Sequence, residues 1–175
     1  MTFLVPFDGS ALSKAALTRA RVYAVALEAA PATVRREVLR EHPIGVLAMS
    51  VIPESARYAR EKGWIADDEP FQARAVVERL HGEVLEIDPG ADFAHERVDG
   101  AAAAGTISNR LRRRAEAEDV SVVFIGSENA GRIITPITSV GGGVTADEDY
   151  DVHIVRRRLP PEARERLRSE FHFVD

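Results

Sequence analysis

The sequence predicts a doubly wound α/β domain. Short apolar runs alternate with stretches of helical periodicity along the chain. The longest run, 44–52, is apolar without alternation, as a strand buried on both faces of a parallel sheet should be. Turn chemistry closes the runs at Asp8-Gly9-Ser10, Pro89-Gly90 and Gly126-Ser127.

Residues 3–7, Phe-Leu-Val-Pro-Phe, predict the first strand, and Asp8-Gly9-Ser10 supplies a turn with N-cap chemistry. Leu12, Ala16, Ala20, Tyr23 and Leu27 then recur at helical spacing, predicting an amphipathic helix over 11–29. The run 44–52 predicts the second strand and is closed by Pro53. Residues 53–70 are polar and read as irregular. Val76, Leu80 and Val84 predict a second helix, and 92–98 predict a strand of mixed polarity. Gly100 opens a third helix, with Ile107, Leu111 and Ala115 at four-residue intervals. Residues 120–125, Val-Ser-Val-Val-Phe-Ile, are the clearest strand. A glycine-bearing segment covers 126–143, and Val152 to Val155 predict the last strand. Residues 160–171 predict a short charged helix begun at Pro160-Pro161. Strands alternating with helices imply crossover connections and a parallel sheet covered on both faces.

Composition narrows the function classes. At 175 residues the chain is one domain's worth. It has no cysteine, which excludes disulfides, thiolate metal sites and cysteine nucleophiles. The N-terminus lacks the features of a signal peptide and no stretch has the length of a membrane span, so a soluble cytoplasmic protein is expected. The net charge is -5, a poor match for nucleic-acid backbones or anionic membranes. Of 23 basic residues, all but Lys14 and Lys62 are arginine, which fits a GC-rich genome. Arg112-Arg113-Arg114 and Arg156-Arg157-Arg158 read as solvated faces, with an acidic partner as the alternative. His42, His81, His95, His153 and His172 have no metal-ligand spacing, and Gly9-Ser10-Ala11 lacks the nucleophile-elbow pattern.

Two loops carry the chemistry. Ligands of open α/β sheets bind beyond the carboxyl ends of the strands, where strand order reverses. Asp8, after the first strand, could accept hydrogen bonds from a ribose or an adenine, or cap the helix that follows. Gly126-Ser127-Glu128-Asn129-Ala130-Gly131, running on to Thr138-Ser139-Val140-Gly141-Gly142-Gly143, offers backbone N–H groups of the kind that hold phosphates. The alternative is a surface loop, because the strict P-loop and dinucleotide patterns are absent.

Taken together, these features resemble the universal stress protein family. The resemblance covers residues 1–158, leaving 159–175 as a C-terminal tail with a short helix. It rests on Pro6-Phe7-Asp8-Gly9-Ser10 with its Ala/Leu-rich helix, on Gly100 to Leu111, and on Val120 to Ser127. The spacing from Ser139-Val140 to Val152-His153-Ile154-Val155-Arg156 also fits. It implies a single Rossmann-like domain with a five-stranded parallel sheet in the order 3-2-1-4-5. It also implies an ATP site made by Asp8, the backbone of Val51, Ile125, Gly126, Asn129, Ser139 and Val140, and a homodimer paired through the last strand.

The phosphate loop of the family's ATP-binding branch reads Gly, two residues, Gly, nine residues, Gly, Ser or Thr. Counted from Gly126, Asn129 takes the second glycine position, Thr138 the third after one residue fewer, and Ser139 keeps the hydroxyl. Asparagine tolerates positive φ, but a Cβ at Thr138 crowds a phosphate. A second register, Gly131 to Gly141, keeps the gap and loses the hydroxyl. Gly141-Gly142-Gly143 is a poor helix start. Arg132 could add a cation or be a solvated loop charge.

The expectation is an adenine-nucleotide (ATP)-binding regulatory module, with no catalytic residues, no metal and no fast turnover. The alternative is a member that has lost ATP binding and acts by dimerisation and partner contact. An adenylating enzyme of the related pyrophosphatase fold is a poor fit, because its Ser-Gly-Gly-x-Asp-Ser loop is not reproduced by Asp8 to Ser13.

Overall fold

The computed structural model describes residues 1–33, 44–100, 104–127, 150–160, 162 and 166. Five parallel strands form one sheet in the order β3-β2-β1-β4-β5. In chain order the elements are β1 (Thr2–Pro6), α1 (Ala11–Glu28), β2 (Gly45–Pro53), α2 (Ala56–Glu61), α3 (Ala73–Leu85), β3 (Asp92–Val98), α4 (Ala104–Ala117), β4 (Val120–Gly126) and β5 (Asp151–Val155). The expected doubly wound α/β fold and its strand order are therefore present.

The burial of each strand follows from its place in the sheet. β1 and β2 lie in the middle and are buried almost throughout, so both faces need apolar residues. Edge strands β3 and β5 are covered less completely and carry polar residues between apolar ones. Alternate residues feed two cores. Phe3, Val5, Val46, Ala48 and Ile52 pack with α1 and α3 on one face, including Leu17, Ala20, Val76 and Leu80. Leu4, Leu47, Met49, Val51, Val123 and Ile125 pack with Leu111 and Ala115 of α4 on the other. Fully burying one such aliphatic side chain contributes about 1.5–3 kcal/mol.

Two features differ from the sequence expectation. Residues 53–70 contain a helix, α2, whose N-cap Ser55 accepts a hydrogen bond from the Tyr58 N–H at 3.3 Å. At six residues it is too short to show a periodic stripe. Tyr23 is 46% exposed rather than buried, although its ring lies 5.5 Å from that of Phe124. The apolar stripe of α1 is carried instead by Leu12, Ala15, Ala16, Leu17, Ala20 and Ala24. The third expected helix is α4, which begins four residues after Gly100. Most of the glycine-bearing segment and of the C-terminal tail lie outside the described residues. Among the described residues, no helix is long and apolar enough to cross a membrane.

Strand order reverses between β1 and β4. Chain order runs outward through β2 and β3 on one side of β1, then crosses to β4 and β5 on the other. The carboxyl ends of β1 and β4 therefore flank the crevice where ligands of such sheets bind.

Candidate functional site

The first wall of this crevice is the turn after β1. Phe7 N–H still donates to the Met49 carbonyl at 2.8 Å, and the chain then leaves the sheet. Asp8 Oδ1 accepts from the Ser10 N–H at 3.1 Å, closing a local turn. Gly9 adopts φ +73°, a conformation that calls for glycine, and a Cβ there would lie 2.9 Å from Glu83 Oε2, the movable tip of that side chain. Ser10 is the N-cap of α1 and accepts from the Ser13 N–H at 3.2 Å. The cap is thus Ser10, and Asp8 shapes the turn ahead of it.

Asp8 is gripped from a second direction by the segment after α2. Lys62 Nζ lies 2.7 Å from Asp8 Oδ2, with side-chain exposures of 23% and 16%. The Trp64 indole N–H donates to the Asp8 carbonyl at 2.8 Å. Trp64 is held in turn by Tyr58, ring edge to face at 5.5 Å, and by Arg79, whose guanidinium donates to the Trp64 carbonyl at 2.8 Å. Glu83, beneath Gly9, faces Lys14 Nζ at 3.1 Å and accepts from Arg79 at 3.4 Å. The Lys14 contact is an ion pair without the alignment of a hydrogen bond, since Glu83 Oε2 has no hydrogen-bond partner. Both lysines of the chain therefore stand beside this one turn.

The second wall is the end of β4. The Ile125 side chain is fully buried on the α4 face, so only its backbone is available to the crevice. Gly126 packs against the first turn of α1. A Cβ there would lie 2.8 Å from Leu12 Cβ and 3.2 Å from the Leu12 carbonyl carbon. Glycine at 126 therefore has a packing reason independent of any ligand. Val51 lies near the carboxyl end of β2. The β1–β2 register runs to Pro6↔Met49, two residues before Val51, so past that point β1 no longer pairs with this side of β2.

Asp8, Val51, Ile125 and Gly126 are thus brought to one edge of the sheet. Asn129, Ser139 and Val140 lie outside the described residues, as do Thr138, Arg132, His42 and His172. Lys62, Trp64 and Glu83 join the site without having been singled out in the sequence. The one available signal was that the only tryptophan and one of only two lysines sit together at 62–64.

Among the described residues, no cluster of three or more His, Asp or Glu side chains could hold a metal. The described histidines pack as rings. His81 stacks on Phe93 at 4.9 Å, and His153 stacks on Phe124 at 5.0 Å. A perturbed carboxyl, Asp88, lies at the opposite end of the sheet, just before β3. Burial raises its pKa above the ordinary 3.8, against the lowering effects of Arg21 and of a hydrogen bond from Gly90 N–H.

No protein-family model matches the chain, and no curated protein matches it. Among solved structures it is similar to the hypothetical protein MJ0577, whose structure is presented as a test case of structure-based assignment of biochemical function. The two share 13% identity over 91% of this chain and 97% of that one, with a TM-score of 0.49.

Proposed function

We propose that the protein is an adenine-nucleotide-binding regulatory module of the universal stress protein type, taking ATP at the carboxyl edge of its sheet without fast turnover. The observation that carries this reading is the convergence of the Asp8 turn, the end of β2 by Val51 and Gly126 at the strand-order reversal. A sugar hydroxyl would meet the Asp8 carboxylate. A carboxylate has about four lone-pair sites, and Lys62 and the Ser10 N–H engage one oxygen each. The backbones of Val51, Ile125 and Gly126 would meet the base and sugar, and Asn129, Ser139 and Val140 the phosphates. Among the described residues of this edge no side chain is arranged as a nucleophile with a base, and the role proposed is binding. The module would act in the cytoplasm as a homodimer paired through β5, which lies at the sheet edge. Light scattering at micromolar concentration would return the mass of two chains, and a monomer would count against this pairing.

A second reading, a stress protein that has lost the nucleotide and works through partner contact, is favoured by one observation. Asp8 is already satisfied from within, by Lys62 and by the turn, and Gly126 is explained by packing alone. The two readings separate on the purified protein. Under the first, the ratio of absorbance at 260 to that at 280 nm reveals a copurified adenine nucleotide, or millimolar ATP raises the melting temperature. A ligand at 100 times its Kd stabilises by about 2.7 kcal/mol. Absence of both effects would leave the second reading.

A further inference from the structure

We infer that Arg156, Arg157 and Arg158 form a cationic arm that holds the phosphate chain of the nucleotide; this rests on the adenine-nucleotide reading above. The sheet register fixes where the arm begins. Gly126 pairs with Val155, so Arg156 is the first residue past the carboxyl end of β5, level with Ser127, the first residue past the end of β4. Adjacent strands are about 4.8 Å apart, which places the arm about 10 Å from the line of β1. The sugar and phosphates of a nucleotide held at Asp8 bridge that distance.

The arm is anchored at both ends. Val155 is buried in the core shared with α1, and Leu159 packs against the same core, while the three arginines between them are exposed. A free tail would not hold three charges at one place, whereas a pinned run does. The arginines also differ from four described arginines on the helices. Arg57, Arg74, Arg79 and Arg114 each pair with a glutamate one helical turn away. Arg156 to Arg158 make no ion pair or hydrogen bond with another described residue. Three exposed guanidinium groups with no ion pair among the described residues stand against a chain of net charge -5. Guanidinium suits this task because its planar fork meets phosphate oxygens in pairs, and it stays charged at any physiological pH. The lysines beside Asp8 do not fill this role, because each already faces a carboxylate.

The test is calorimetric titration of the full chain and of its R156Q/R157Q/R158Q variant with ATP, adenosine and inorganic tripolyphosphate, at low and high salt. The variant changes exposed groups only, and circular dichroism confirms its fold. The expected result is that the wild type binds ATP more tightly than adenosine. The variant then loses about tenfold in ATP affinity, the effect of losing one charge-assisted contact, with adenosine affinity within about twofold. The salt dependence of ATP binding also flattens. Equal ATP affinity in both proteins would overturn the inference and leave the nucleotide reading standing, as would equal losses for ATP and adenosine. Wild-type binding of tripolyphosphate that the variant loses, without adenosine binding, would support the arm and overturn the nucleotide reading. No binding of any of the three would overturn both.

Discussion

Gly126→Ala is the substitution whose cost follows most directly from the geometry. The added methyl would stand 2.8 Å from Leu12 Cβ, 3.2 Å from the Leu12 carbonyl carbon and 3.4 Å from Ser13 N. All three atoms belong to the first turn of α1 or are fixed by it, so no flexible side-chain tip can move aside. Either α1 lifts from β4 or β4 bends, and both disturb a core that includes Leu12, Ala16 and Phe124. Overpacking of this kind costs about 1–3 kcal/mol, and contacts with backbone atoms argue for about 2 kcal/mol. For a domain of this size that lowers Tm by about 4–8 °C. Urea unfolding followed by Trp64 fluorescence measures it, since this single tryptophan is 4% exposed and packed into the fold. A double-mutant cycle with Leu12→Ala sharpens the test, because alanine keeps the offending Cβ. The two costs should therefore add without compensation. A loss below about 0.5 kcal/mol for Gly126→Ala would refute the packing argument, as would rescue by Leu12→Ala.

Other outcomes follow from the same geometry. Lys62→Met should destabilise by about 1 kcal/mol, less than a fully buried pair because both groups are partly solvated, and the loss should shrink in high salt. Equal losses at low and high salt would contradict this. Trp64→Phe should cost about 1 kcal/mol by leaving the Asp8 carbonyl without its indole donor, as read by circular dichroism during urea unfolding. For Asp88, burial raises the folded pKa above the unfolded one, so the folded state binds the proton more tightly. This carboxyl therefore favours folding most at low pH, and its contribution declines as pH rises from the ordinary 3.8 through the folded value. The stability of the wild type relative to Asp88→Asn should fall over that window, and a flat difference would contradict the assignment.

What was legible in the sequence was the part that depends on local pattern. β1, β2 and β4 are buried on both faces, so their apolar runs stand out, and α1, α3 and α4 carry periodic stripes. β3 was a weaker signal because an edge strand needs fewer apolar residues. α2 was missed because six residues make fewer than two helical turns. Tyr23 was misplaced because periodicity cannot tell a buried ring from one lying along the rim of the sheet beside His153.

The site was less legible, for a different reason. Asp8 could be singled out from its place after the first strand. Its cation and its indole donor come from 54 and 56 residues away, and no spacing rule joins them. Gly126 showed the opposite difficulty. Its sequence context suggests room for a phosphate, whereas the structure uses the missing side chain to bring α1 against β4. The arginine run after β5 was visible as a charge cluster, but only the Gly126↔Val155 register sets it at the same edge as Asp8.

Trp64 is a built-in reporter for the proposed adenine nucleotide at the edge formed by Asp8 and Gly126. Its indole N–H is bonded to the Asp8 carbonyl, so a ligand seated on Asp8 must alter its surroundings. Titration of the desalted protein with ATP, exciting at the red edge of tryptophan absorption, should give a saturable one-to-one change in emission that Asp8→Ala abolishes. A flat titration up to millimolar ATP, with the protein folded, would contradict it.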